Sequence, residues 1–164
     1  MRWLLDHGAD VNSRAVDGFT PLHLLNVLVR PEISRMLLEH NADINARDRF
    51  GNVPLHWAAI PEFAGDAGDA RYSKEALETM RLLLDHGADP NVRDDDGCTP
   101  LHDSSWWQKG GYPPRKGTVE GSRLLLDHGA NIDAENNEGK TPLQLALKAG
   151  YREMAEFLSG RGAK

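Results

Sequence analysis

Apolar residues recur along the chain in short blocks at helical spacing, as in Ile33, Met36, Leu37 and again in Met154, Phe157, Leu158. Positions three and four apart fall on one face of a helix, so each block predicts a short amphipathic helix. The blocks end in a polar turn. It reads Leu4-Leu5-Asp6-His7-Gly8-Ala9-Asp10 at its first appearance and returns at 37–43, 83–89 and 125–131, with a degraded copy at 158–164. A second, proline-opened segment precedes the full blocks: Thr20-Pro21-Leu22-His23, Val53-Pro54-Leu55-His56, Thr99-Pro100-Leu101-His102 and Thr141-Pro142-Leu143-Gln144.

These residues punctuate helices. Thr20, Thr99 and Thr141 can cap a helix start by accepting from free backbone amides. The prolines that follow them occupy the first helical position, where a missing N–H costs nothing. Val53 has no hydroxyl, which costs its helix roughly 1 kcal/mol. At the far end Gly8, Gly87, Gly129 and Gly162 can stop a helix in the left-handed conformation. Asn41 stands where the fifth glycine would be, and asparagine is the next residue able to adopt it. The pattern predicts first helices at about 21–28, 54–60, 100–107 and 142–149 and second helices at about 31–40, 74–86, 118–128 and 152–160.

Spacing turns the blocks into a repeat. The proline boxes start at 20, 53, 99 and 141, steps of 33, 46 and 42 residues. The glycine position of the leucine box, at 8, 41, 87, 129 and 162, steps by 33, 46, 42 and 33. The unit is therefore 33 residues, with insertions of 13 and 9 lying between the two helices of one unit. A single helix pair cannot bury its apolar face, so such units must stack on one another.

A T-P-L-H box, a leucine helix and a G-A-D-x-N turn every 33 residues resemble the ankyrin-repeat family. The resemblance implies an all-α solenoid of stacked helix-turn-helix units: an L-shaped stack with hairpin fingers on one side and a concave face lined by first helices. One domain over 1–164 is expected, divided into a half repeat at 1–12, repeats at 13–45, 46–91 and 92–133, and a polar capping repeat at 134–164. The insertions fall at about 62–74 and 108–117. The half repeat leads us to expect more chain upstream, or fraying of a two-turn helix that leaves Trp3 or Leu4 exposed. Leu25-Asn26 and Ser104-Ser105 replace the usual alanine pair, and Gly121 leaves a gap in a core row; both predict looser packing there.

Charge and thiol content narrow the partners. A net charge of −6 repels nucleic-acid backbones and anionic membrane surfaces. No segment approaches the ~18 apolar residues of a membrane span. The lone Cys98 cannot pair within the chain, which suits a reducing, intracellular setting in cytoplasm or nucleus.

Seven histidines among 25 acidic residues suggest a metal or hydrolytic site, but their register argues otherwise. His23, His56 and His102 share one repeat position, and His7, His40, His86 and His128 another. A residue present in every unit serves the unit, whereas catalysis needs a set peculiar to one place. No His-Glu-x-x-His or Cys-x-x-Cys pattern occurs. Gly110-Gly111 and Gly65-x-x-Gly68 read as insertion turns. Cys98 reads as a surface thiol at a variable finger position, and Asp94-Asp95-Asp96 as a solvated turn. Asn12, Asn45 and Asn91 read as hairpin hydrogen-bonding residues; family resemblance also makes them candidate substrates of an asparagine hydroxylase. No cofactor and no metal is expected.

Residues that differ between units carry the specificity of such a stack. The rows expected on the concave side are Leu24, Trp57, Asp103, Leu145 and Val27, Ile60, Trp106, Lys148. The positions assigned to partner binding are Leu24, Val27, Trp57, Ile60, Asp103, Trp106 and Trp107, with Phe19, Arg49, Asn52 and Arg93 from the fingers. The expected function is a monomeric protein–protein interaction module, a scaffold or adaptor rather than an enzyme. The alternatives are a fragment of a longer array and, further off, an enzyme built from the insertion residues Asp66, Asp69, Arg71, Tyr72, Lys109, Tyr112, Arg115 and Lys116.

Overall fold

The computed structural model describes residues 2–28, 30–60, 70–106 and 118–164, with the backbone alone at 25–28 and 70–73. Within them the chain is helical and has no strand. A short α1 (Arg2–Asp6) is followed by helix pairs: α2 (Pro21–Leu28) with α3 (Pro31–Glu39), and α4 (Pro54–Ala59) with α5 (Ala70–Asp85). Then come α6 (Pro100–Ser105) with α7 (Val119–Asp127), and α8 (Pro142–Lys148) with α9 (Arg152–Gly160). Each first helix packs on its own second helix and on the first helix of the next pair, while α3, α5, α7 and α9 follow one another in a second layer.

Local chemistry sets the ends of these helices. Each first helix opens on the proline of its box. Asn41 takes a φ of +63°, the left-handed stop that glycine supplies in the other units. One start and two stops stand out as different from the sequence reading. α5 begins at Ala70, inside the expected insertion, because no glycine or proline interrupts the run of good helix formers after it. α4 and α6 stop early, leaving Ile60 and Trp106 extended with ψ of 105° and 124°. Pro61 disfavours helical backbone at Ile60. Before Trp106, the hydroxyls of Ser104 and Ser105 both donate to the Leu101 carbonyl, at 3.0 and 2.8 Å, and such back-bonding competes with the helical ladder.

The core runs through the stack as two leucine columns. Leu22, Leu55 and Leu101 come from first helices and Leu37, Leu83, Leu125 and Leu158 from second helices, all fully buried. Burying such a side chain contributes roughly 1.5–3 kcal/mol. The looser packing expected at the serines and at Gly121 is not found. Ser104 Oγ lies 2.8 Å from Ser122 Oγ, and Ser122 in turn donates to Met154 Sδ at 3.2 Å. A side chain at Gly121 would meet the Thr118 hydroxyl at 3.0 Å and the Met80 methyl at 3.4 Å, so the position is filled by its neighbours.

Histidines tie the units together. The Thr20, Val53 and Thr99 amides donate to Nδ1 of His23, His56 and His102 at 3.1, 3.2 and 3.1 Å. With Nδ1 as acceptor the proton resides on Nε2, which donates across to the next unit: to the carbonyls of Asn52, Cys98 and Lys140 at 3.2, 3.1 and 3.0 Å. The hydroxyls of Thr20 and Thr99 face the same Nδ1 at 2.8 and 2.9 Å, and Thr99 makes no side-chain cap to a backbone amide, a correction to its expected role. Thr141 caps as expected: its hydroxyl accepts from Gln144 N–H, and Gln144 Oε1 accepts from Thr141 N–H.

α1 leans on the stack through Leu5, while Trp3 and Leu4 are 66% and 52% exposed. Trp3 stacks on His7 with ring centroids 4.1 Å apart. None of the described helices is long and apolar enough to cross a membrane.

Candidate functional site

The finger loops between one unit and the next are built on a repeated acid or amide. Asp48 Oδ1 accepts from the Phe50 and Asn52 amides, Asp94 Oδ1 from those of Asp96 and Cys98, and Asn136 Oδ1 from those of Glu138 and Lys140. Such side chains fold the loop back on itself. Successive fingers then join through one backbone bond each, Arg49 N–H to Asp17, Asp95 N–H to Phe50 and Asn137 N–H to Asp96. Behind them Asn12 and Asn91 bridge units, each donating to the carbonyl of the next turn and accepting an amide from it.

This folding-back buries residues expected at the surface. Asp94 is buried, so the Asp94-Asp95-Asp96 run is not a wholly solvated turn. Cys98 is also buried, and burial with the nearby Asp103 charge pushes its thiol up to about 12, leaving it a protonated, poor nucleophile. Asn52 is buried, with its side-chain amide donating to Asp48 at 3.2 Å.

The candidate binding residues divide by exposure. Leu24 is 46% exposed, and Arg49 and Arg93 lie on the finger surface. Arg49 pairs with Asp17 at 2.6 Å and lies over the Phe50 ring. The Arg93 carbonyl accepts from Arg47 at 3.0 Å. Trp57 and Ile60, by contrast, are only 4% and 5% exposed and form a small cluster with Phe19. Trp57 satisfies its indole by donating Nε1–H to Asp48 Oδ2 at 2.8 Å. Asp103 is 2% exposed and Trp106 half-buried. Because Trp106 leaves the helix, it does not share a helix face with Asp103 as its spacing suggested. Trp107, the Val27 side chain and the insertion residues Asp66, Asp69, Lys109, Tyr112, Arg115 and Lys116 lie outside the described residues, as do the side chains of Arg71 and Tyr72.

A cavity of about 270 Å³ opens between the third and fourth fingers. Asp96 and Cys98 form one wall, and Asn136, Asn137 and Glu138 the other. Asp103 and Trp106 stand at the end of α6, and Leu145 and Lys148 come from α8. Asp103 Oδ2 is buried with no hydrogen-bond partner among the described residues. Desolvation, then the charges of Asp96 and Asp48, hold the Asp103 carboxyl well above the usual carboxylate range.

Asp103 also lies with His56 and Asp94 in a buried group whose ligand-capable atoms are all within 4.8 Å of one another. Sequence reasoning missed this grouping and the finger acids behind it. Their signal was legible as an acid or amide five residues before the last three Thr/Val-Pro boxes, at 48, 94 and 136. Both nitrogens of His56 are already engaged, with the Val53 amide and the Cys98 carbonyl, so a metal would have to displace one of these bonds.

A family model described as ankyrin repeats (3 copies) matches residues 1–64 and 115–164, and one described as ankyrin repeats (many copies) matches residues 69–108. Comparison with curated proteins finds no match. With the repeat spacing, the helix pairs and these matches in agreement, the chain belongs to the ankyrin-repeat family.

Proposed function

We propose that this chain binds a partner protein through the face formed by its first helices and finger loops, as a scaffold or adaptor without catalytic activity of its own. Ankyrin repeats are generally protein–protein interaction modules and typically non-enzymatic. The observation that carries the reading is a division of labour within each unit. Residues that recur, such as His23, His56, His102, Asn12 and Asn91, are spent on bonds between units. Residues that vary from unit to unit gather at the first helices and fingers, among them Leu24, Asp103, Trp106 and Arg49. Fold alone names no partner, so the specificity must come from these varied positions.

Affinity capture with the full chain as bait tests the reading when paired with two sets of charge changes. Leu24→Glu, Arg49→Glu and Arg93→Glu alter the proposed face. Arg81→Glu and Glu120→Arg alter exposed positions on α5 and α7. The first set should abolish capture of a specific protein and the second leave it intact; the reverse pattern would contradict the proposal.

A further inference from the structure

We infer that the cavity between the third and fourth fingers receives a cationic side chain, an arginine guanidinium, from the partner, with Asp103 as its acceptor. The inference rests on the proposed partner-binding face and names the chemistry recognised there.

Two equivalent positions in neighbouring units carry the argument. In one unit Trp57 donates to Oδ2 of the finger residue Asp48 at 2.8 Å. In the next, the equivalent finger residue is Asp94, and Asp103 stands where Trp57 stood. A donor has been replaced by an acceptor beside an acid, within the same 4.8 Å grouping that holds His56. The one ring proton of His56 is directed to the Cys98 carbonyl. Asp103 Oδ2 is left buried without a hydrogen bond, in a row whose other members are Leu24, Trp57 and Leu145. A buried acceptor with nothing to accept works against folding, and such local conflicts mark functional positions.

The cavity lining supplies the rest. Asp96 and Glu138 add acidic charge at its exposed walls against Lys148, the single base among the described lining residues. Lys148, the base among the described lining residues, makes no hydrogen bond to Asp103 Oδ2. Trp106 offers a half-buried indole at the same cavity. A planar guanidinium brings several N–H donors in a fork matched to a carboxylate and stacks on an aromatic face, whereas an ammonium does neither as well. A divalent metal is the competing occupant, but it requires His56 to surrender an existing bond. A guanidinium on Asp103 leaves both His56 bonds in place.

The test is a titration of the ¹⁵N-labelled full chain with Nα-acetyl-arginine amide, followed by NMR, with Nα-acetyl-citrulline amide as the uncharged probe of the same shape. Arginine should give saturable shifts at the Trp106 indole and the Asp96, Gly97 and Asn137 amides, and citrulline should bind at least tenfold more weakly. Asp103→Asn, and Asp103→Leu, which restores the apolar row, should each weaken arginine binding at least tenfold while the melting temperature holds or rises. Equal binding of citrulline, unchanged binding in both variants, or no saturable shift would overturn the inference. So would stoichiometric zinc binding that perturbs His56 and Asp94 and is lost in Asp103→Asn, since the site would then be a metal centre. The probe is a single amino acid, so its failure leaves partner capture by the first-helix face to be judged separately.

Discussion

The indole N–H of Trp57 donates to Oδ2 of Asp48 at 2.8 Å, and this bond turns a residue that looked like a surface anchor into part of the core. Trp57→Ala should therefore cost about 3–5 kcal/mol of stability. Trp57→Phe, which keeps the ring and removes the donor, should cost about 1–3 kcal/mol by leaving Asp48 short of a partner. Urea unfolding of the three proteins checks both values.

Asp103 should behave in the opposite way. Its folded-state pKa lies well above the ordinary aspartate value of 3.8, so the folded chain binds the proton more tightly than the unfolded one. Stability from this group is fully present below pH 3.8 and is lost as pH rises through the folded pKa. Asp103→Asn should be more stable than the natural chain at pH 7, and the advantage should shrink as pH falls. Denaturant midpoints across that range report it; an unchanging difference would contradict the assignment.

The buried histidines titrate with the reverse sign. Desolvation lowers the pKa of His23 and His102 below 6.5, against smaller raising effects from the carbonyls they contact. Their contribution is complete above pH 6.5 and is lost as pH falls from there through the lower folded values. His40 acts oppositely, its pKa raised by the Met36 carbonyl and then by Asp6. His102→Gln borrows the residue that the fourth unit carries at this position, Gln144, and should flatten the pH dependence between pH 7 and 5. A curve as steep as that of the natural chain would exclude His102 as its source.

Two turn positions test the backbone reading. Asn41 has a φ of +63°, so Asn41→Gly should leave stability unchanged or raise it by a few tenths of a kcal/mol. Gly97 has a φ of +74°, and an added Cβ would run into Asn137 of the next finger and Arg93 of its own. Gly97→Ala should cost more than about 1 kcal/mol, read as a drop in melting temperature.

The helices were legible in the sequence because their signals are local. A proline opens each of α2, α4, α6 and α8, and a left-handed glycine or asparagine follows each of α3, α5, α7 and α9; both act through backbone geometry alone. Burial in the fingers was not legible in this way. Asn52, Asp94 and Cys98 sit in polar, glycine-containing loops, and only the fold-back onto Asp48, Asp94 and Asn136 takes them out of water. Trp57 and Asp103 occupy equivalent positions, but their roles separate only when the finger acid that each one faces is known. The sequence placed Trp106 on a helix; the serine hydroxyls that compete for the Leu101 carbonyl end α6 one residue before it.

Hydrogen exchange of the full chain with and without its captured partner tests the binding face most directly. Added protection should concentrate in the finger residues 46–52 and 92–98 and at the end of α6, where Asp103 and Trp106 stand. Protection confined to α5, α7 and α9, with the fingers and first helices unchanged, would contradict the account.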